Sequence, residues 1–452
     1  MLKRIIASSA LLFALSVQAG EAASFRMTFA TTTHSSPSKG LKTQGGPQKT
    51  ESDDSDKITI TLGANRGQVE SKSGKFIVDY VTRRTYLLNA TDKTYTDASL
   101  FAIVAFRHFE ITNRKMLSTL LAKALGKTQS MMDPVYAECE LNMRMPETAT
   151  GTLIEESTNA GKTTFTYQMR PLASFKSSPT EIPAEYRKSF AKTLLLNSAI
   201  NLHPVVQEAI EKSNHVPEEL TAHNEGMMIS DQSWKLLECG ESDDELKIPA
   251  NYDRAIATYD PLKELYPIYA YTKKLSNAEA LSQAQKYMAD GHSFDAFLTI
   301  MELILTCDED LSDLKGLMKD LQEKDADCRD YLNLGESETK EEALKISETA
   351  AALKTKATTK AFVLDVFEAV ERNKAGQTAK AKELYLNALK HDPHMTGPYV
   401  DLGNMLMAEY NTAGAWNCFD MAKANCPTIM NLQQVKALEE MLMTEHPEYF
   451  KL

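Results

Sequence analysis

Residues 361–427 read AFVLDVFEAVERNKAGQTAKAKELYLNALKHDPHMTGPYVDLGNMLMAEYNTAGAWNCFDMAKANCP. Ala369, Ala381, Tyr385, Ala388 and Pro393 return 34 residues later as Gly403, Ala415, Phe419, Ala422 and Pro427. A fixed period of that length predicts stacked helix–turn–helix units, because no single unit can bury its own apolar face. Each repeated position has a packing reason. Ala369 and Gly403 are small where the first helix of a unit crosses the second. Ala381 and Ala415 do the same between units. Tyr385 and Phe419 fill the wedge between neighbours, and Pro393 and Pro427 stop the second helix, since proline cannot continue the amide ladder.

These positions, with Tyr399 and Leu402 ahead of Gly403, resemble the tetratricopeptide repeat. The best copies are 361–393 and 395–427, with a capping helix over 430–443. Ala284, Tyr287, Gly291 and Ala296 match a further unit with helices at Ala278–Ala289 and Ser293–Thr306. The stretch Leu311–Thr355 between them is irregular, with one amphipathic stripe through Leu314, Leu317, Met318 and Leu321 and another through Ala343, Ile346 and Ala350. The resemblance implies a binding scaffold whose partner lies on the concave face of the first helices. Periodicity puts Val366, Val370, Asn373, Val400, Asn404 and Met407 there. That face lacks a basic cluster for a terminal carboxylate, so an apolar partner segment is expected.

Working outward, the rest of the 452-residue chain has room for two or three domains, and its 43% apolar and 25% charged composition is that of a soluble globular protein. A net charge of −12 argues against nucleic acid or an anionic membrane surface as partner. Residues 1–19 read as a signal peptide: Lys3 and Arg4, an apolar run from Ile5 to Val17, then Val17-Gln18-Ala19 before the cut. That run, and every later one, is shorter than the ~18 apolar residues of a membrane span. A periplasmic or secreted bacterial protein is expected, without a transmembrane segment once processed. Six cysteines suit an oxidising compartment. Cys139 with Cys239 and Cys307 with Cys328 are possible disulfides, whereas Cys418 and Cys426 would stand about 12 Å apart on one helix.

Between residues 20 and 252 the pattern is strands, helix, strands, helices, strands. Phe25, Met27 and Phe29 alternate, as do Ile58, Ile60 and Leu62. The polar stretch 31–56 between them is expected to be a disordered loop. Short strands follow at Gln68–Ser71, Lys75–Tyr80, Thr85–Asn89 and Thr94–Thr96, then a helix over Ala98–Leu125. Strand signals resume at Val135–Met143, Thr150–Ser157 and Lys162–Met169. Ser177-Ser178-Pro179 reads as a link to helices at Pro183–Asn201 and His203–Ser213, before strands at Leu220–Asn224 and Met227–Cys239. The expected fold class is α+β: an antiparallel curved sheet with helices, a connector over 253–276, and an all-α array over 277–452. Within residues 57–96, Lys75–Tyr80, Arg84–Leu88 and Lys93-Thr94-Tyr95 resemble secreted domains of unknown function related to the curved sheet of lipoprotein carriers. That likeness implies space for an apolar small ligand under the sheet.

The chain shows no Gly-rich phosphate loop, H-E-x-x-H or G-x-S-x-G elbow. Glu138 and Glu140 flank Cys139 as the solvent side of a strand would, and the nine histidines are scattered. No catalytic residue, cofactor or metal is therefore expected. The sequence points to a non-enzymatic scaffold for a protein partner of the cell envelope; the alternative is a periplasmic carrier or sensor of a lipid.

Overall fold

The strand that begins at Ser24 holds the N-terminal half together. In the computed structural model, which describes residues 24–37, 52–124, 126, 154–167, 169–196, 202–225, 228–256, 260–307 and 312–450, β1 (Ser24–Pro37) pairs antiparallel on both sides. On one side it continues into β2 (Ser52–Leu62), β3 (Arg66–Ser71), β4 (Gly74–Asp79), β5 (Arg84–Asn89) and β6 (Thr94–Ser99), a meander in chain order. On the other lie β11 (Met228–Ser242), β10 (His215–Glu225), β9 (Arg170–Glu181), β8 (Lys162–Tyr167) and β7 (Ile154–Asn159), a meander in reverse order. A two-residue strand, β12 (Asp253–Arg254), adds in parallel to β6 and completes a sheet of twelve strands among the described residues.

Turn chemistry explains the tight first meander. Asp79 accepts from the N–H groups of Val81 and Thr82, and Asn89 from those of Thr91 and Asp92; each turn ends on a left-handed residue, Arg83 or Lys93. α1 (Leu100–Ala124) follows β6 directly. α2 (Arg187–Leu196) and α3 (Pro204–Ser213) cover one face of the sheet. Their Phe190, Leu194, Val206 and Ile210 join Met27, Ile60, Leu62, Phe165 and Tyr167 in one buried cluster.

From residue 260 onward the described chain is helical. α4 (Leu265–Tyr271) precedes the pair α5 (Asn277–Ala289) and α6 (Ser293–Thr306). The middle holds α7 (Ser312–Lys324), α8 (Ala326–Leu332) and α9 (Lys340–Leu353). Two regular pairs follow: α10 (Ala361–Lys374) with α11 (Thr378–His391), and α12 (Thr396–Ala408) with α13 (Thr412–Asn425). α14 (Leu432–Glu445) and the single turn α15 (Pro447–Phe450) end the described chain. The fold class is α+β as expected. The chain divides into two compact units: a sheet unit from Ser24 to Ala255 that also includes the residues from Leu442 on, and a helical unit, Ile256–Met441.

Several expectations need correction. The polar stretch 31–56 is strand as far as Pro37 and again from Ser52, with Thr31 opposite Asp56 and His34 opposite Asp53. Ladder hydrogen bonds belong to the backbone, so β-branched threonines keep the strand going where no apolar side chain is buried. Ser177-Ser178-Pro179 is no link but part of β9; Pro179 falls where the β9–β10 register is interrupted, so its missing N–H breaks no ladder bond. The connector 253–276 carries β12 and α4, and the units change between Ala255 and Ile256. Cys307 is joined to Cys426, with Cα atoms 5.5 Å apart, and not to Cys328, which is buried and free. Both bonded cysteines are the C-caps of their helices, where extended backbone turns the side chains aside. Cys239 is a free thiol; Cys139, the strand at Val135–Met143 and the signal segment lie outside the described residues.

Candidate functional site

The 34-residue repeat is read by its small residues. Ala369, Ala381, Ala388, Ala415 and Ala422 are fully buried, with Tyr385 and Phe419 wedged beside them. A Cβ on Gly403 would stand 2.4 Å from the Phe419 ring, so glycine is required for α12 to approach α13. The buried Tyr399 hydroxyl donates to the carbonyl of Pro393, tying the second pair to the turn before it. Leu402 is buried, Pro393 is inside and Pro427 exposed, each just past the end of its helix.

The face assigned to a partner is less available than periodicity implies. Val366 and Val400 are buried in the array, Val370 and Met407 are half-buried, and Asn373 and Asn404 are exposed. The valines are closed off by packing between successive helices, which a single-helix pattern cannot show. Charge is also used internally here. Lys354 pairs with Asp365 and Glu368, both buried, and Arg372 donates to Glu368 at 3.0 Å.

On α6, Asp295 and Glu302 stand two turns apart and hold the segment before α10. Asp295 accepts from the backbone N–H groups of Thr358, Thr359 and Lys360 at 2.8–2.9 Å. Burial pushes its carboxyl up, but these donors outweigh it and hold the group below the usual range. Glu302 accepts from the Lys360 ammonium, yet burial and the neighbouring Asp392 push its carboxyl up to about 7. Burial likewise pushes Asp401 up to about 6, against the opposing effect of the Tyr385 hydroxyl that donates to it.

An open groove of about 610 Å³ lies upstream, in the irregular middle of the array between α8 and α9. Asp325 caps α8 by accepting from the N–H groups of Asp327 and Cys328. The short helix ends at Leu332, and Gly335, at φ +69, turns the chain back. Thr339 and Glu342 then open α9 with a reciprocal capping box. The two helices diverge around Leu334, Ile346 and Leu353, which form an apolar floor. Asp327, Asp330, Glu336 and Glu342 line it against Lys345 and Lys356, so four carboxylates meet two ammonium groups and the lining is net −2. Of these groups Asp330, Glu336, Glu342, Lys345 and Lys356 are exposed. Such a surface can seat an apolar side chain and favours cationic groups beside it.

Sequence reasoning missed this groove. Ile346 was visible as part of an amphipathic stripe with Ala343 and Ala350, but those alanines are buried while Ile346 is half-buried and lines the groove. The acidic and basic lining has no periodicity to mark it. Elsewhere, in the sheet unit, His108, Glu445 and His446 gather as possible metal ligands. No described helix is long and apolar enough to cross a membrane.

No protein-family model matches the chain, and the curated proteins contain no match. Among solved structures, one titled "Lipid-protein interactions in lipovitellin" is similar at 10% identity and a TM-score of 0.17. The alignment takes in 91% of this chain and 50% of that one, so the chain spans half the length of that protein. Likeness at this level says nothing about fold or ligand.

Proposed function

We propose that the protein is a non-enzymatic interaction protein of the bacterial cell envelope, whose tetratricopeptide-like helical array holds a segment of a protein partner. The observation that carries the reading is the groove between α8 and α9, with its apolar floor of Leu334, Ile346 and Leu353 and its net acidic lining. Its chemistry suits a segment with one aliphatic or aromatic anchor beside Lys or Arg. Export is supported by the Cys307–Cys426 disulfide, a bond at home in an oxidising compartment, and by the pattern of residues 1–19.

Panning a random peptide library against the full chain tests the proposal. Enriched peptides should carry an apolar anchor next to basic residues, and Ile346→Asp should weaken a selected peptide about tenfold or more by fluorescence anisotropy. Asn373→Ala and Asn404→Ala should leave it unchanged. Equal binding by Ile346→Asp, or loss of binding in the asparagine variants, would move the site off this groove. A lipid carried by the sheet is the second reading. It would require the cluster of Met27, Ile60, Phe165, Phe190, Val206 and Ile210 to open, because those side chains fill the face that α2 and α3 cover.

A further inference from the structure

In the sheet unit, His108 on α1 meets the residues at the end of α14. His108 Nδ1 lies 3.0 Å from His446 Nε2 and 3.5 Å from Glu445 Oε2, and the three ligand atoms all fall within 4.8 Å of one another. We propose that His108, Glu445 and His446 form a binding site for a divalent transition ion of the zinc class, which fastens the C-terminal segment to α1.

The geometry favours this over a chance meeting. Metal–nitrogen bonds of about 2.05 Å at a tetrahedral angle place two ligand atoms roughly 3.3 Å apart. Two of the three edges, 3.0 and 3.5 Å, bracket that value, and the third is no longer than 4.8 Å. Adjacent residues on a continuous helix diverge by about 100°. Here α14 ends at Glu445, the His446 N–H bonds back to the Leu442 carbonyl, and Pro447 starts α15. The break lets both side chains turn to His108.

The far side of His446 is also built. The His446 side chain is 10% exposed, and its Nδ1 faces Glu448 Oε1 at 3.4 Å; neither atom has a hydrogen-bond partner within the usual geometry. A metal-bound imidazole commonly directs its second N–H to a carboxylate, which fixes ring orientation and raises ligand basicity. Glu448 occupies that position, and its own main-chain carbonyl accepts from Lys192 on α2. Without an ion, the short contact between two imidazoles needs one ring to donate and the other to accept. With an ion bound, both facing nitrogens offer lone pairs. The His446 proton then sits on Nδ1 toward Glu448, and the His108 proton on Nε2. Two nitrogens and one carboxylate oxygen suit zinc, with copper and nickel as competitors, and leave a fourth position for water. Glu445 is 52% exposed, which gives the ion a path in.

The full chain, stripped with EDTA and titrated with zinc against a chromophoric chelator, should bind one ion. His108→Ala and His446→Ala should abolish that binding, Glu448→Gln should weaken it about 10–100-fold, and His34→Ala should leave it unchanged. Cobalt should give visible ligand-field bands that vanish in His108→Ala. Far-UV circular dichroism checks that each variant is folded; if His446→Ala is not, Glu445→Gln and Glu448→Gln decide. No bound zinc in the unaltered chain, or undiminished affinity in His108→Ala or in both glutamine variants, would overturn the site.

Discussion

Two buried carboxylates, Asp97 in the sheet unit and Glu302 in the helical unit, are shifted in opposite directions. In the sheet unit, Asp97 on β6 lies between Arg84 of the neighbouring strand and Arg254 of β12, the latter at 2.6 Å. Burial pushes its carboxyl up, but the two guanidinium groups outweigh it and hold the group below the usual range. In the helical unit, Glu302 has a single ammonium and a competing carboxylate, and it is pushed up to about 7. What decides the state of a buried acid here is how many donors reach it: Asp295, also in the helical unit, is held low by three backbone N–H groups.

The chain supplies a probe for each unit, since its two tryptophans are Trp234 in β11 and Trp416 in α13. Trp234→Phe and Trp416→Phe backgrounds let each unit be followed alone by fluorescence. The largest effect should come from Cys426→Ser. It opens a loop of 119 residues, which corresponds to a loss of about 4 kcal/mol. Only the Trp416 denaturation midpoint should move; an equal shift at Trp234 would mean that the units do not unfold separately.

Gly403→Leu comes next. A side chain driven into the Phe419 ring should destabilise the helical unit by about 2–3 kcal/mol, again read at Trp416. An unchanged midpoint would show that α12 and α13 are packed more loosely than the contact implies.

Smaller and opposite effects should follow from pH. Asp97 is depressed in the folded state, so its contribution is present above the ordinary carboxylate range and is lost as pH falls through its folded value. Glu302 and Asp401 are raised, so their contribution is full below about pH 4 and lost as pH rises through about 6 to 7. Between pH 5 and 8 the helical unit should weaken by on the order of 1 kcal/mol, and Glu302→Gln should flatten that slope. Asp97→Asn should flatten the acid limb of the sheet unit instead. Parallel pH profiles for both tryptophans would break the contrast. The smallest effect on stability belongs to Ile346→Asp, about 1 kcal/mol or less because the residue lines an open groove, although it should be the variant that weakens peptide binding.

Much of the helical half was legible beforehand. α5 and α6 fall within a residue or two of their expected bounds, and the last two helix pairs span 361–391 and 396–425 within the expected repeats 361–393 and 395–427, because the apolar period and the stopping prolines act within one helix. Strands β3 to β5, and β2 from Ile58 on, were legible for a similar reason: Ile58, Ile60 and Leu62 alternate, and Asp79 and Asn89 close their own turns. The threonine-rich extension of β1 was not, since its partners Asp53 to Asp56 lie on another strand and bury nothing apolar. The face of Val366 and Val400 was misjudged because the neighbouring helices that cover it leave no mark on the helix itself.

Local spacing thus carried the elements and their order: a rise of about 1.5 Å per residue and 3.6 residues per turn tie sequence distance to space within a helix, and strand alternation does the same. Across the chain no such rule holds. That Cys307 finds Cys426 rather than Cys328, that α8 and α9 part around Ile346, and that His108 faces His446 from 338 residues away were set by packing, which sums weak contacts over each whole unit.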